Sequence, residues 1–331
     1  MSDGNLEDVL AGLRAAAEGT RLRLLALCAE GDLTVGDLCA ILGQSQPRVS
    51  RHLKLLCEAG VLERLPEGTA VFHRLAEAGP GAALARQILR LLSRDDATLR
   101  LDRERLGQIR ADRAAAAAAY FRKNAGHWGA LRSLYVDEQQ VEAELLRRLP
   151  AEGIGALLDI GTGTGRILEL LAGRVRQGVG IDLSRDMLLV ARANLQSAGI
   201  GNCQVRQADM YRLPWQEPQF DAITLHRVLH YAEAPARVIA EAARVLRPGG
   251  RLLIVDFAPH ALERLRTEHA HRRLGFSDEE IGKWCRAGGL TPEPVQHLPG
   301  KPLTISIWQA LRAPQRAAAS TDATDAGRAA A

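Results

Sequence analysis

The sequence predicts an α/β chain in two parts: a small helical unit closed by a β-hairpin, then a larger unit in which buried strands alternate with helices. Three observations carry this. Residues 157–182 run from an apolar strand through alternating glycines and a helix to a second apolar strand. Residues 20–75 hold two short helices joined by a tight turn, then two short strands. Between them lies a charged stretch with helical offsets.

The glycine segment reads LLDIGTGTGRILELLAGRVRQGVGID. Ala156–Leu158 with Ile160 has the continuous apolar character of a strand buried on both faces. Gly161, Gly163 and Gly165 let the backbone turn sharply and approach a ligand with no Cβ in the way. A helix starting at Gly165 aims unpaired N–H groups at that ligand. Asp182, closing the next strand, can accept from two ribose hydroxyls. Together these describe a nucleoside-binding βαβ unit. A dinucleotide site needs glycine at the first, third and sixth positions of the turn. Here the sixth is Arg166 and the third glycine falls at the fifth. The pattern therefore argues against NAD or FAD.

This spacing resembles motif I of class I S-adenosylmethionine (SAM) methyltransferases, and the resemblance continues downstream. Asp182-Leu183-Ser184-Arg185-Asp186-Met187 is similar to the segment after motif I, which implies Asp182 on the ribose and Met187 near the adenine. Gln207-Ala208-Asp209-Met210 is similar to the next motif, implying Asp209 on the adenine amino group and Met210 beside the ring. Phe220-Asp221-Ala222-Ile223 begins a fourth strand, and Leu246–Ile254 resembles the family's turn into a fifth. The match covers about residues 154–260 and implies a Rossmann-like domain. Its implied cofactor-binding set is Asp159, Gly161, Gly163, Gly165, Asp182, Leu183, Met187, Asp209, Met210 and His226.

The N-terminal part carries a second pattern. Arg21–Ala29 is apolar at helical spacing and stops at Gly31. Thr34 with Asp37 three residues on is a capping-box signal for a helix over Val35–Leu42, ended by Gly43. Ser45 is placed to cap the next helix, Gln46–Ala59, with Pro47 harmless in its first turn. This is a helix-turn-helix. Val61–Leu65 and Ala70–Leu75 then read as strands flanking Pro66-Glu67-Gly68-Thr69, a hairpin wing. The run Gln44–Leu56 and the following Glu58-Ala59-Gly60-Val61-Leu62 resemble the recognition helix of ArsR-type winged-helix repressors. Val49, Leu53 and Leu56 fall on the core face. Gln46, Arg48, Ser50, Arg51 and Lys54 fall outside it, either as a solvated basic face or as a DNA contact. In the latter case Gln46, Ser50 and Arg51 would reach base edges, and Arg48 and Lys54 would meet phosphates. The resemblance favours double-stranded operator DNA as partner. It also implies a homodimer through Asn5–Ala17 and Ala82–Leu92, with reading helices about 34 Å apart. Metal-sensing members carry a Cys-x-Cys pair where Thr34 and Gly36 stand here, so thiolate metal sensing at that place is not expected.

Composition sets the outer bounds. The chain has 331 residues, 47% hydrophobic, only 4% aromatic, with net charge +4. Two aliphatic cores fit that length. No apolar run approaches the ~20 residues of a membrane span. The start, MSDGNLEDVL, lacks a signal-peptide pattern, and the five cysteines are scattered, so free thiols and a cytoplasmic location are expected. Asp95–Arg113 reads as a solvent-laced helix continued by Ala114–Ala119. Tyr120–Asn124 and Trp128 to Tyr135 resemble the helices that roof the SAM site. The expected division is 1–100 for DNA binding and dimerisation, 101–312 for the methyltransferase domain with its roof helices, and 313–331 as a disordered tail.

The acceptor is less legible. No Asn/Asp-Pro-Pro-Tyr follows the fourth strand and there is no Pro-Cys dipeptide, which disfavours DNA methylation. The motifs look nearest to small-molecule enzymes of the ubiquinone/menaquinone type. His226, His230 and His260 are candidate general bases, or else line the pocket; Asp256 is equally able to orient an acceptor. His269 and His271 join no zinc template, and no metal is expected. Two functions remain: a regulator whose second half methylates a small molecule, or a sensor in which SAM or S-adenosylhomocysteine controls operator binding without turnover.

Overall fold

The computed structural model describes residues 5–67, 69–76, 78–93, 95–124, 137–150 and 153–314. The segment Trp128–Tyr135 and nearly all of the expected tail lie outside them.

In the N-terminal half, α1 (Leu6–Ala16) and α2 (Gly19–Cys28) lead into a short strand, β1 (Leu33–Thr34). Then come α3 (Val35–Leu42) and α4 (Gln46–Glu58). The box at the start of α3 forms: Thr34 and Asp37 each accept from the other's backbone N–H. Gly43 ends the helix at φ 64°, a left-handed value glycine adopts at least cost. Ser45 occupies the cap position of α4, but its side chain makes no cap bond. A cap accepts from the second or third helical N–H. The second residue here is Pro47, which has none, and the Arg48 amide turns to the Ser45 carbonyl at 3.1 Å.

Strands β2 (Leu62–Glu67) and β3 (Ala70–Leu75) pair antiparallel with Glu67 opposite Ala70, so the hairpin is tighter than the expected four-residue turn. The sheet order is β1-β3-β2. Pro66 therefore sits on an edge strand, where a missing N–H is tolerated. Helix α5 (Pro80–Leu91) packs back on α1. Leu24, Leu25, Leu38, Ile41, Leu53 and Leu56 form the core of this half, each essentially unexposed.

One helix, α6 (Ala97–Asn124), spans 28 residues. It is only partly the solvent-laced element its charges suggest. Asp102 is 1% exposed and takes both Nε and Nη2 of Arg23 at 2.6 Å; Leu106 is buried beside it. Arg105 and Arg110 donate to the carbonyls of Ile41 and Glu30. The helix thus lies along α2 and α3 through residue 110, and its Arg122 reaches Asp186 of the C-terminal half at 3.5 Å. The expected boundary, residue 100, falls inside it.

The C-terminal half follows α7 (Glu138–Arg148). Its parallel strands are β4 (Ile154–Ile160), β5 (Val175–Asp182), β6 (Cys203–Gln207), β7 (Phe220–His226) and β8 (Leu246–Phe257). Helices α8 (Arg166–Leu171), α9 (Arg185–Ser197) and α10 (Pro235–Val245) connect them. After β8 come α11 (Arg264–His269) and α12 (Asp278–Ala287), then β9 (Leu290–Pro292), β10 (Gln296–Leu298) and β11 (Ile305–Arg312). The sheet runs β10-β11-β8-β7-β4-β5-β6, with β11 antiparallel to β8 and β9 paired to β11. Two apolar layers cover its faces. The chain leaves β4 for β5 on one side and returns to β7 on the other. That reversal opens a crevice at the carboxyl ends of β4 and β7, where ligands of such sheets bind.

Candidate functional site

The crevice is the floor of a cavity of about 640 Å³, within the range of small-molecule sites. At its outer end the chain turns from β4 with Gly161 at φ 72°, Gly163 at 53° and Gly165 at 85°. A Cβ built at Gly161 would run into Val228, so this position is closed to any side chain. The Gly161 and Thr162 amides both reach the Ile181 carbonyl, at 2.8 and 2.9 Å, which ties the turn to the end of β5.

Asp182 sits at that junction. One carboxylate oxygen accepts from Gly163 N at 2.9 Å and the other from Ser184 N at 2.8 Å. Burial raises its pKa, against the lowering effect of these amides. Each oxygen retains lone-pair capacity toward the cavity. Leu183, Met187, Asp209 and Met210 line the same end, and Asp209 accepts from Tyr211 N at 2.9 Å. Asp159 is 1% exposed and takes the Thr224 hydroxyl at 2.7 Å. Thr162 places a buried hydroxyl here that has no partner among the described residues. The set suits a nucleoside with a charged amino-acid tail: carboxylates for hydroxyls and amines, methionines for a ring, bare backbone at the turn. Of the ten residues expected to bind cofactor, nine line the cavity. Gly165 does not; it opens α8 and packs on Ala191.

The candidate bases separate. His226 ends β7 at the cavity wall and His230 lies in the turn after it. His230 is 2% exposed, and its Nδ1 meets Asp256 Oδ1 at 2.7 Å. The Asp256 carboxylate also receives the His230 and Phe257 amides. It thereby holds the ring with its proton on Nδ1 and leaves Nε2 as an acceptor. His271 stacks on the His230 ring, centroids 4.0 Å apart. Burial drives the His271 pKa far below the usual imidazole value. His260 is not in this cavity. It faces a separate cleft with Arg273 and Glu280, its Nδ1 takes the Leu262 amide, and burial lowers its pKa to about 4. Arg227, between the two cavity histidines, has φ 55°, a strained value for a side-chain-bearing residue beside a candidate site. Its guanidinium pairs with Glu138 and lies 5.0 Å from the Phe257 ring. Among the described residues no three His, Cys, Asp or Glu side chains cluster as for a metal.

Sequence reasoning did not find the other wall. Thr34, Ala70 and Phe72 of the N-terminal half line the cavity, as do Arg110 and Arg113 of α6. The two halves are joined there by ion pairs. Arg113 and Arg272 meet both Asp37 and Glu233. Arg273 meets Glu67 at 2.5 Å and Asp32 at 3.2 Å, and Arg266 meets Glu67 at 2.6 Å. The signal available was charge complementarity between Asp32, Asp37 and Glu67 on one side and the arginines of 266–273 on the other.

In the N-terminal half, Gln46, Arg48, Ser50, Arg51 and Lys54 are all exposed along α4, while Val49, Leu53 and Leu56 are buried. Lys54 stands 3.8 Å from Glu58 in an exposed pair.

This arrangement, an open α/β sheet with a glycine turn and carboxylates at its switch point, defines a methyltransferase domain, preceded by a helix-turn-helix of the DNA-binding type. Comparison with known proteins agrees. Residues 158–254 match the methyltransferase-domain family model, and residues 18–64 match the model of bacterial regulatory proteins of the arsR family. The uncharacterised methyltransferase YcgJ of Bacillus subtilis is 34% identical over 104 residues, 31% of this chain and 41% of that protein. A ubiquinone biosynthesis O-methyltransferase of Dechloromonas aromatica is 30% identical over 163 residues, 45% of this chain and 69% of that one. The chain thus spans less than half of the first relative and about two thirds of the second. The complex of the Haloferax volcanii Trm112 methyltransferase activator with a methyltransferase contains a chain of the same fold, with TM-score 0.50 at 20% identity, covering 59% of this chain and 98% of that one. The chain belongs to the class I SAM-dependent methyltransferases and carries an ArsR-family helix-turn-helix ahead of that domain.

Proposed function

We propose that this protein is a DNA-binding regulator whose second half binds SAM and transfers its methyl group to a small molecule. The observation that carries it is Asp182, whose two oxygens accept the Gly163 and Ser184 amides and which lines the cavity together with Met187 and Met210. Asp182 holds the ribose, Asp209 the adenine amino group, the two methionines flank the ring, and Asp159 and His226 face the amino-acid tail. SAM supplies an electrophilic methyl group. The chain's own part is to hold the acceptor in line and keep water out. His230, fixed by Asp256, is placed to take an acceptor proton, and His226 shares its wall. The ubiquinone biosynthesis relative supports a small-molecule acceptor.

The exposed face of α4 is the operator contact, with Gln46, Ser50 and Arg51 toward bases and Arg48 and Lys54 toward phosphates. The protein acts as a homodimer in the cytoplasm. Leu6, Val9, Leu10 and Leu13 of α1 are 37–77% exposed on one helix, beside α5, an apolar face of the kind a second copy covers. No helix among the described residues is long and apolar enough to cross a membrane.

A second reading is favoured by the wall of Thr34, Ala70 and Phe72: the N-terminal half touches the cavity, so SAM or S-adenosylhomocysteine can set operator affinity without turnover. Gel shifts on the gene's own upstream DNA, with and without each ligand, test both. A change of at least about fivefold on adding S-adenosylhomocysteine supports sensing. A flat titration together with methyl transfer in a product assay leaves the enzyme reading. Absence of binding to either ligand by calorimetry removes the common premise.

A further inference from the structure

The inner end of the cavity, beyond the Asp182 end, is walled by both halves of the chain. We infer that it is a site for a neutral aromatic compound bearing a hydroxyl, and that the hairpin β2–β3 responds to its occupancy. The inference rests on the SAM reading for the adjacent end of the cavity and adds the class of the second ligand and its consequence.

Three features select the ligand. The chain has only five phenylalanines and four tyrosines, yet Phe72, Phe121, Phe257, Tyr211 and Tyr231 all line this cavity. Such a gathering in an aromatic-poor chain suits a flat ring, which packs edge-on or offset against others. Phe121 and Tyr231 already meet edge to face at 4.9 Å. Five of the six arginines that line the cavity are paired with carboxylates: Arg113 and Arg272 face Asp37 and Glu233, Arg266 faces Glu67, Arg227 faces Glu138 and Arg166 faces Glu142. Arg110 donates to the Glu30 carbonyl; among the described residues its Nε has no partner, and it alone of these arginines has no carboxylate beside it. An anion finds no uncommitted partner in these pairs. Finally, His230 Nε2 is buried and has no partner among the described residues. With the ring's proton on Nδ1 against Asp256, that nitrogen accepts and calls for a donor, which a ring hydroxyl supplies.

The same residues hold the hairpin. The His230 carbonyl receives the Arg272 and Arg273 amides at 2.8 and 2.9 Å, and the His271 ring lies on the His230 ring. One residue further, the guanidiniums of Arg272 and Arg273 stand 5.0 and 5.7 Å from the Phe72 ring, with Arg266 at 5.6 Å. Glu67 at the hairpin end takes Arg266, Arg273 and the Leu274 amide, and Thr69 N donates to Glu263 at 2.6 Å. A ring lodged against His230, His271 and Phe72 gains contacts that exist only while the hairpin is docked. By linkage it favours the docked arrangement.

The test uses the full chain saturated with S-adenosylhomocysteine. 2-Naphthol is titrated by calorimetry against two controls, 2-methoxynaphthalene, which lacks the donor, and naphthalene-2-sulfonate, which is anionic. 2-Naphthol is expected to bind at least about fivefold tighter than either, and to slow amide hydrogen exchange over residues 62–75 by at least about fivefold. Phe72→Leu is expected to keep S-adenosylhomocysteine affinity and lose the protection of the hairpin. Equal binding of the three probes, tighter binding of the sulfonate, or protection confined to residues 220–276 overturns the inference. Should 2-naphthol bind and protect the hairpin in a chain that does not take up S-adenosylhomocysteine, the SAM reading fails and the aromatic site stands.

Discussion

The carboxylate of Glu67 and the guanidinium of Arg273, 206 positions apart in the chain, lie 2.5 Å from each other across the junction of the two halves. Glu67 also takes Arg266, and the side chains of all three are no more than 16% exposed. Removing one partner of a buried pair leaves the others uncompensated. Glu67→Ala is expected to cost about 3 kcal/mol of unfolding free energy. Urea unfolding followed by fluorescence and far-UV dichroism checks it. A midpoint equal to the parent's would show that the junction is not held here.

Asp182→Ala removes the carboxylate proposed to hold the ribose and frees the Gly163 and Ser184 amides at once. Hydrogen bonds to a charged group are worth about 1.5–3 kcal/mol, so SAM affinity is expected to fall at least about tenfold. Calorimetry with purified variant and parent decides it, with thermal melting as the check on folding. Unchanged affinity sinks the pocket assignment.

Arg51 and Lys54 are both exposed on α4, but their expected roles differ. Arg51→Ala should cost about 1–3 kcal/mol on the operator and relax sequence preference. Lys54→Ala should weaken all DNA sequences evenly and reduce the salt slope by about 1. Fluorescence anisotropy on operator and scrambled duplexes over a salt series separates them; identical profiles for the two variants contradict the division.

Acid should loosen the protein before its carboxylates protonate. Burial lowers the pKa of His73 and His260 to about 4, and that of His271 further still. The unfolded chain binds these protons near the ordinary pKa of about 6.5. Between about pH 6.5 and 4 the unfolded state therefore holds more protons, and stability falls as pH falls. Each proton held by the unfolded chain alone costs the fold about 1.36 kcal/mol for every pH unit crossed, so the three rings together set an upper bound of about 8 kcal/mol between pH 6.5 and 4.5, with His73 and His260 supplying a reduced share because water still reaches them. Urea midpoints across that range measure it, and a level profile would mean these rings are not held neutral.

How much of this was legible depended on range. Thr34 with Asp37, the glycines at 161, 163 and 165, and Asp182 act within a few residues or one βαβ unit, and spacing alone exposes them. Ser45 looked equally local, yet Pro47 removed the donor its side chain needed. The stacking of His230 on His271 and the placing of Phe72 among three guanidiniums leave no periodic trace, because side chains 41 and about 200 positions apart meet only through the sheet. His260 read like its neighbours in sequence; the turn after β8 carried it into another cleft.

Helix α6 crosses the junction without a break. A rod of this kind advances about 1.5 Å and turns about 100° for each residue. Inserting or deleting a single residue between its Asp102 and Arg122 anchors would therefore swing one half around the other by more than a quarter turn, carrying Arg272 and Arg273 away from their acids. The length of this segment is a gear setting. Changes of about seven residues, close to two full turns, would preserve the meshing far better than changes of one or two.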